Sequence, residues 1–253
     1  MLLLRATLAL YRDAAIDAAR ATGRSAFALV LLLLLFPVLA FVQVATSPRG
    51  MIGGFVVGFM NAACAGTYLA TLQDALDARR TISVASIQAN LGRYTSEVLG
   101  VAFPIWVVLA IAAFALPGPV AVLVQLAIGV LLNVAPEMIG RSRASGVQLL
   151  QDAFFWLKES GVEWYVAQAA VLVPLLLLRP SAFGSVVGMF GPNFGFVNAG
   201  SLALSSGSGV AAWATGLALV ALVHAIMLFR GALFQRLGQG GRRARVWRAR
   251  MGS

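Results

Sequence analysis

Six stretches of this chain run for about 15 to 22 residues without a charged side chain, and they limit its fold more than any other feature. They cover residues 25–46, 51–72, 98–116, 120–136, 164–178 and 210–229. A helix of roughly 20 apolar residues matches the ~30 Å hydrocarbon core of a bilayer. Backbone polar groups inside that core must be satisfied within the segment, so helices are the natural way for such runs to cross. Only 11% of the residues are charged and mean hydropathy is +0.88, whereas a soluble domain carries about 25% charged residues. The expected fold is therefore all-α, a polytopic membrane protein with about six transmembrane helices forming one integral domain over residues 1–253. Within it, 1–24 reads as an amphipathic amino-terminal helix, 25–229 as a six-span bundle and 230–253 as a basic cytoplasmic tail.

Charge sets the expected orientation. If the amino terminus is cytoplasmic, the inner segments are 1–24, 73–97, 137–163 and 230–253. They hold all nine acids and seventeen of the nineteen Arg and Lys residues, leaving only Arg49 and Arg179 outside. Cytoplasmic loops are enriched in Arg and Lys, so both termini are expected inside. The leader before the first run is long and partly acidic for a cleavable signal, so it is read as retained. The net charge of +10 does not call for nucleic acid. The tail from Arg242 to Arg250 is expected to flank a membrane span and attract anionic headgroups. The bias toward Arg, Ala and Gly reads as the composition of a GC-rich bacterium, which gives the bacterial inner membrane as the expected location.

The inner segments show helical periodicity. Val147, Leu150, Phe154, Leu157, Gly161 and Trp164 recur at three-four spacing, with Gln148, Asp152, Glu159 and Glu163 turned away. Leu4, Leu8, Tyr11 and Ala15 repeat the pattern beside Arg5, Arg12, Asp13 and Asp17, and Ile82, Ile87, Leu91, Tyr94 and Val98 form a fainter stripe. Helices of this kind lie along a membrane surface or dock onto a partner. A unit of amphipathic helix, span, reversal and span thus occurs three times, starting near residues 1, 79 and 145. The first span of each unit contains a proline: Pro37, Pro104 and Pro174.

No catalytic or metal-binding set is legible, and no cofactor or enzymatic activity is expected. His224 is the only histidine and Cys64 the only cysteine, too few for His/Cys metal sites. Ser205, Ser206 and Ser208 precede His224, but Ser208 lies sixteen residues from it, about 24 Å along one helix, beyond nucleophile–base reach. Ion-coupled transport usually needs charge inside the spans, and the six runs have none. Glu137, at the inner end of the fourth, is read as an interfacial carboxylate that begins the following helix.

The runs do contain small and neutral polar residues. Gly54, Gly58, Ala62 and Gly66 recur every four residues along the second, a pattern that lets helix backbones approach closely, within the chain or at an oligomer seam. Asn61, Gln125, Asn133, Gln168 and His224 are the mid-membrane polar groups expected to hydrogen-bond between helices. Residues 179–209 are apolar yet broken by glycines and Pro192, with Phe183, Phe190, Phe194 and Phe196 among them. A re-entrant or interfacial outer hairpin suits this segment, provided protein shields its backbone.

In order, these elements are an amino-terminal interfacial helix, two spans, a cytoplasmic helical loop, two spans, a second loop, a fifth span, an outer hairpin and a sixth span. That layout resembles the permease subunits of ABC exporters of the drug- and polysaccharide-export class, although loop 137–163 is longer than that family usually shows. The resemblance implies a dimeric transport subunit without its own motor, driven by a separate cytoplasmic ATPase. Residues 73–97 and 141–163 would then be coupling surfaces, with Val147, Leu150, Phe154, Leu157 and Trp164 on the docking helix, and 183–196 the outer hairpin. The tripled unit also resembles the six-helix membrane domain attached to some bacterial glycerophosphodiesterases, which implies a non-catalytic scaffold or assembly subunit of a larger membrane complex. The expected partners are the lipid bilayer, a cytoplasmic ATPase or other membrane subunits, in a homo- or hetero-oligomer, and no nucleic acid.

Overall fold

A computed structural model describes residues 2–77, 81–142, 144–178, 180, 186, 188–205 and 209–238. Among these every regular element is helical. The α-helices are α1 (Leu2–Arg24), α2 (Ala26–Thr46), α3 (Gly50–Asp77), α4 (Val84–Ala89), α5 (Thr95–Ala115), α6 (Gly118–Leu131), α7 (Ala135–Met138), α8 (Gly146–Leu178), α9 (Gly200–Ser205) and α10 (Val210–Gly238). Five segments are long and apolar enough to cross a membrane: Ala26–Arg49, Ile52–Asp77, Thr95–Ala115, Gly118–Met138 and Val210–Gly238.

The expected reversals form where Pro and Gly interrupt helical hydrogen bonding. A 3₁₀ turn at Ser47–Arg49 joins α2 to α3, and Pro117 leads α5 into α6. Ser83 and Ser86 cap the start of α4 reciprocally. Helix faces follow from spacing: α2 buries Ala28, Leu32, Leu35 and Leu39, and α5 buries Val98, Val101 and Ile105, all at three-four intervals. α2 packs on α3, α3 on α5, α5 on α6 and α8, and α1 on α10. The face of α1 that packs is Ala14, Ala18 and Ala21, while Leu8 is exposed. The alanines win because they let α1 lie close against α10, where Arg236 pairs with Asp13 and Asp17.

The third repeat departs from the other two. The amphipathic helix and the span expected there form one helix, α8, 33 residues long, about 50 Å at 1.5 Å per residue, and it is not among the five segments above. Among the described residues beyond α8, those from 188 to 198 fold back between the helices. The Phe190 carbonyl meets Arg230, about 30 Å along α10 from Val210, and the Phe196 ring meets Tyr68, about 27 Å along α3 from Gly50. Both measures place the fold-back near the charged end of the bundle. Phe190, Phe194 and Phe196 are all buried, whereas Phe183 lies outside the described residues. Gly200 then passes tightly over α2: a Cβ there would sit 2.8 Å from Phe36 Cβ and 2.9 Å from the Leu33 carbonyl.

Candidate functional site: a buried arginine clasp

α10 does not end where its uncharged run ends. It continues through Arg230 to Gly238, and the Arg230 side chain is entirely buried, as is nearly all of that of Glu137. Glu137 reaches it because α6 stops at Leu131 and Pro136 lies at the start of the single turn α7, a position where its missing N–H costs nothing. Gly140, at φ +72°, turns the chain away beneath the Tyr94 ring, where a Cβ would lie 2.3 Å from Cζ. Glu137 is thus a core residue rather than an interfacial carboxylate.

The guanidinium is fully satisfied. Nε donates to Glu137 Oε1 (2.6 Å), and Nη2 donates to Glu137 Oε2 (2.9 Å) and the Asn133 carbonyl (2.6 Å). Nη1 donates to the Phe190 carbonyl (3.0 Å) and to Gln168 Oε1 (3.4 Å). Gln168 Nε2 and Trp164 Nε1 both donate to Asn133 Oδ1 at 3.1 Å, and Asn133 Nδ2 donates to the Phe190 carbonyl at 3.2 Å. The Trp164 and Phe190 rings lie 5.2 and 5.5 Å from the guanidinium carbon, within cation–π range. One bidentate, neutralised pair therefore ties α10, α7, α8 and the fold-back segment together, the geometry a buried charge requires.

A second polar centre lies further along α10. His224 Nδ1 is 2.8 Å from the Tyr68 hydroxyl and Nε2 is 3.0 Å from Ser25 Oγ, and all three residues are buried. Ser25 Oγ also lies 3.4 Å from the Thr22 carbonyl. The arrangement that uses every proton has Tyr68 donating to Nδ1, Nε2–H donating to Ser25, and Ser25 donating to Thr22. Serine and histidine are within nucleophile–base reach, but at 0% and 1% exposure no substrate can touch them as the chain is folded. They pin the α1–α2 break to α3 and α10.

The other residues expected from sequence to act are dispersed through the fold. Asn133, Gln168 and Trp164 belong to the clasp and His224 to the pin. Asn61 keeps a buried Oδ1 without a hydrogen-bond partner, and Gln125 is exposed on α6. Along α3 the small residues divide: Ala62 and Gly66 are buried, with Gly66 against the Tyr94–Thr95 backbone, while Gly54 and Gly58 are exposed with open space around them. On α8, Leu157 and Trp164 are buried within the chain, so the open face is Val147 and Phe154 with half-buried Leu150, joined by Phe155. With Ile128, Leu131, Leu132 and Gln151, these four line a groove of about 560 Å³ between α6 and α8. The tail from Arg242 to Arg250 lies outside the described residues.

Arg230 was not singled out from sequence because it follows the last uncharged run. The signal was there: Ala225 to Phe229 and Gly231 to Phe234 are apolar on both sides of it, so the charge sits inside an apolar stretch rather than at its border. No protein-family model, curated protein or solved structure matches this chain.

Proposed function

We propose that the protein is a transport subunit without its own motor, of the permease type, working with a cytoplasmic ATPase. The observation that supports this is the continuity of α8. Its exposed apolar face and the adjoining groove lie toward the charged end, and Trp164 and Gln168 on the same helix enter the clasp that holds the Phe190 carbonyl. A motor docked on that face would act on one rigid helix joined by hydrogen bonds to the fold-back segment. In this reading α8 supplies the sixth membrane crossing, α1 and α4 lie at the inner surface, and the fold-back segment is a re-entrant hairpin entered from outside. The location in this reading is the bacterial inner membrane with both termini cytoplasmic, the orientation that the charge distribution favours.

The test is purification from native membranes in a mild detergent. A nucleotide-hydrolysing partner bound to the chain supports the reading, and its absence from a complex that otherwise stays intact removes it. Alkaline phosphatase fused after Arg49 should be active, and fused after Asp77 inactive; the reverse would overturn the orientation.

A second reading, a non-catalytic scaffold of a larger membrane complex, is favoured by the closure of the polar networks. Arg230, Glu137 and His224 are saturated by partners within the chain, as fits a fixed structural role. Co-purification with other integral proteins, without an ATPase and without solute flux in vesicles, would establish it.

A further inference from the structure

α6 is thinly covered by the rest of the chain: 11% of the most apolar window of its span is buried, against 56% for the spans of α3 and α10. Gln125 is exposed on this helix and makes no side-chain hydrogen bond with any described residue. It lies seven residues from the start of α6, about 10 Å along the axis, and Val122 and Leu126 near it are exposed apolar side chains. Lipid tails give an amide neither a donor nor an acceptor, and leaving it unpaired there is costly. Gly118 and Gly129 fall within 40° of Gln125 around the helix at 100° per residue. Neither has a heavy atom within 4 Å of where a Cβ would stand, so another backbone can come close at this face.

We propose that this face of α6 is the seam of a symmetric dimer, in which the Gln125 amides of two copies hydrogen-bond to each other across a two-fold axis. An amide both donates and accepts, so a two-fold axis beside Gln125 presents each copy with its own complement. An isologous contact needs no second, separately shaped surface. A different membrane protein would have to bring a polar group to the same depth on an otherwise apolar helix. The proposal stands independently of the transport reading, because it concerns only what covers α6.

Cysteine cross-linking in native membranes tests it. Cys64, buried in α3, is replaced by alanine, and single cysteines are placed at Val122 and Gly129 on the Gln125 side of α6 and at Leu123 on the far side. Disulfide-linked species of twice the chain mass are expected from Val122→Cys and Gly129→Cys and not from Leu123→Cys. Energy transfer between donor- and acceptor-labelled chains in phosphatidylcholine vesicles then gives the affinity. Gln125→Leu, which places an apolar side chain on an uncovered face and leaves the fold undisturbed, should weaken association roughly threefold to thirtyfold. Equal cross-linking from Leu123→Cys, adducts of another mass, no adduct at all, or unchanged energy transfer in Gln125→Leu would each overturn it.

Discussion

Replacing Glu137 by glutamine is the sharpest perturbation of the clasp, because it removes one charge and almost no volume. Arg230 would keep its position with its guanidinium entirely buried and no anion to balance it. Breaking a buried pair by removing one partner typically costs about 3–5 kcal/mol. The double variant Glu137→Gln/Arg230→Met differs in kind. It leaves no buried charge, and the Phe190 carbonyl still accepts from Asn133 Nδ2. The Asn133 carbonyl and Gln168 Oε1 both lose the guanidinium as donor, and the glutamine amide introduced at position 137 brings two N–H donors against those two losses. One unsatisfied carbonyl costs about 1–3 kcal/mol. The double variant should therefore be less destabilised than Glu137→Gln alone, a coupling far outside the ~0.3–0.5 kcal/mol within which independent sites add. Reversible denaturation by sodium dodecyl sulfate in mixed micelles, followed by tryptophan fluorescence, measures the parent, Glu137→Gln, Arg230→Met and the double variant. Glu137→Gln lying within about 1 kcal/mol of the parent, or simple additivity in the double variant, would refute a dry, coupled pair.

Three further outcomes follow from named contacts. Tyr68→Phe removes the hydrogen-bond partner of His224 Nδ1 and should cost about 1–3 kcal/mol in the same unfolding assay; no loss would mean that the imidazole is hydrated. Arg236→Ala frees Asp13 and Asp17 in a half-exposed pair worth at most about 1 kcal/mol. Proteolysis of α1 should accelerate modestly while the rest of the bundle keeps its unfolding midpoint. Gly66→Ala drives a Cβ to 2.8 Å from the Tyr94 carbonyl carbon and should destabilise by about 1–3 kcal/mol, whereas Gly58→Ala, with open space around it, should cost nothing and raise stability by up to about 1 kcal/mol through helix propensity.

Reading residues in isolation captured the membrane character, because an uncharged run of helical length has few other fates. The reversals were equally legible at Ser47–Arg49 and Pro117, where the chain itself prevents helix continuation. Stripes were less reliable. On α1 the larger apolar residues marked one face, yet close packing selected the alanines beside it, since short side chains allow the nearer approach. On α8 one stripe served two environments, with Leu157 and Trp164 buried within the chain and Val147 and Phe154 left open. Arg230 and Glu137 are 93 residues apart, so neither predicts the other; only the fold shows that each solves the other's burial problem. Asn133 and Gln168 were legible as interhelical hydrogen-bonders, but not their common partner.

Photocross-linking from position 155 tests the proposed coupling most directly. Phe155 is exposed on α8 and lines the groove beside α6, so a photoactivatable phenylalanine there reports whatever occupies that face in the native membrane. The expected product is an adduct with a nucleotide-hydrolysing subunit, lost when Phe154 is changed to serine while the unfolding midpoint is unchanged. Adducts confined to lipid, or to integral proteins that bind no nucleotide, would contradict a motor docked on α8.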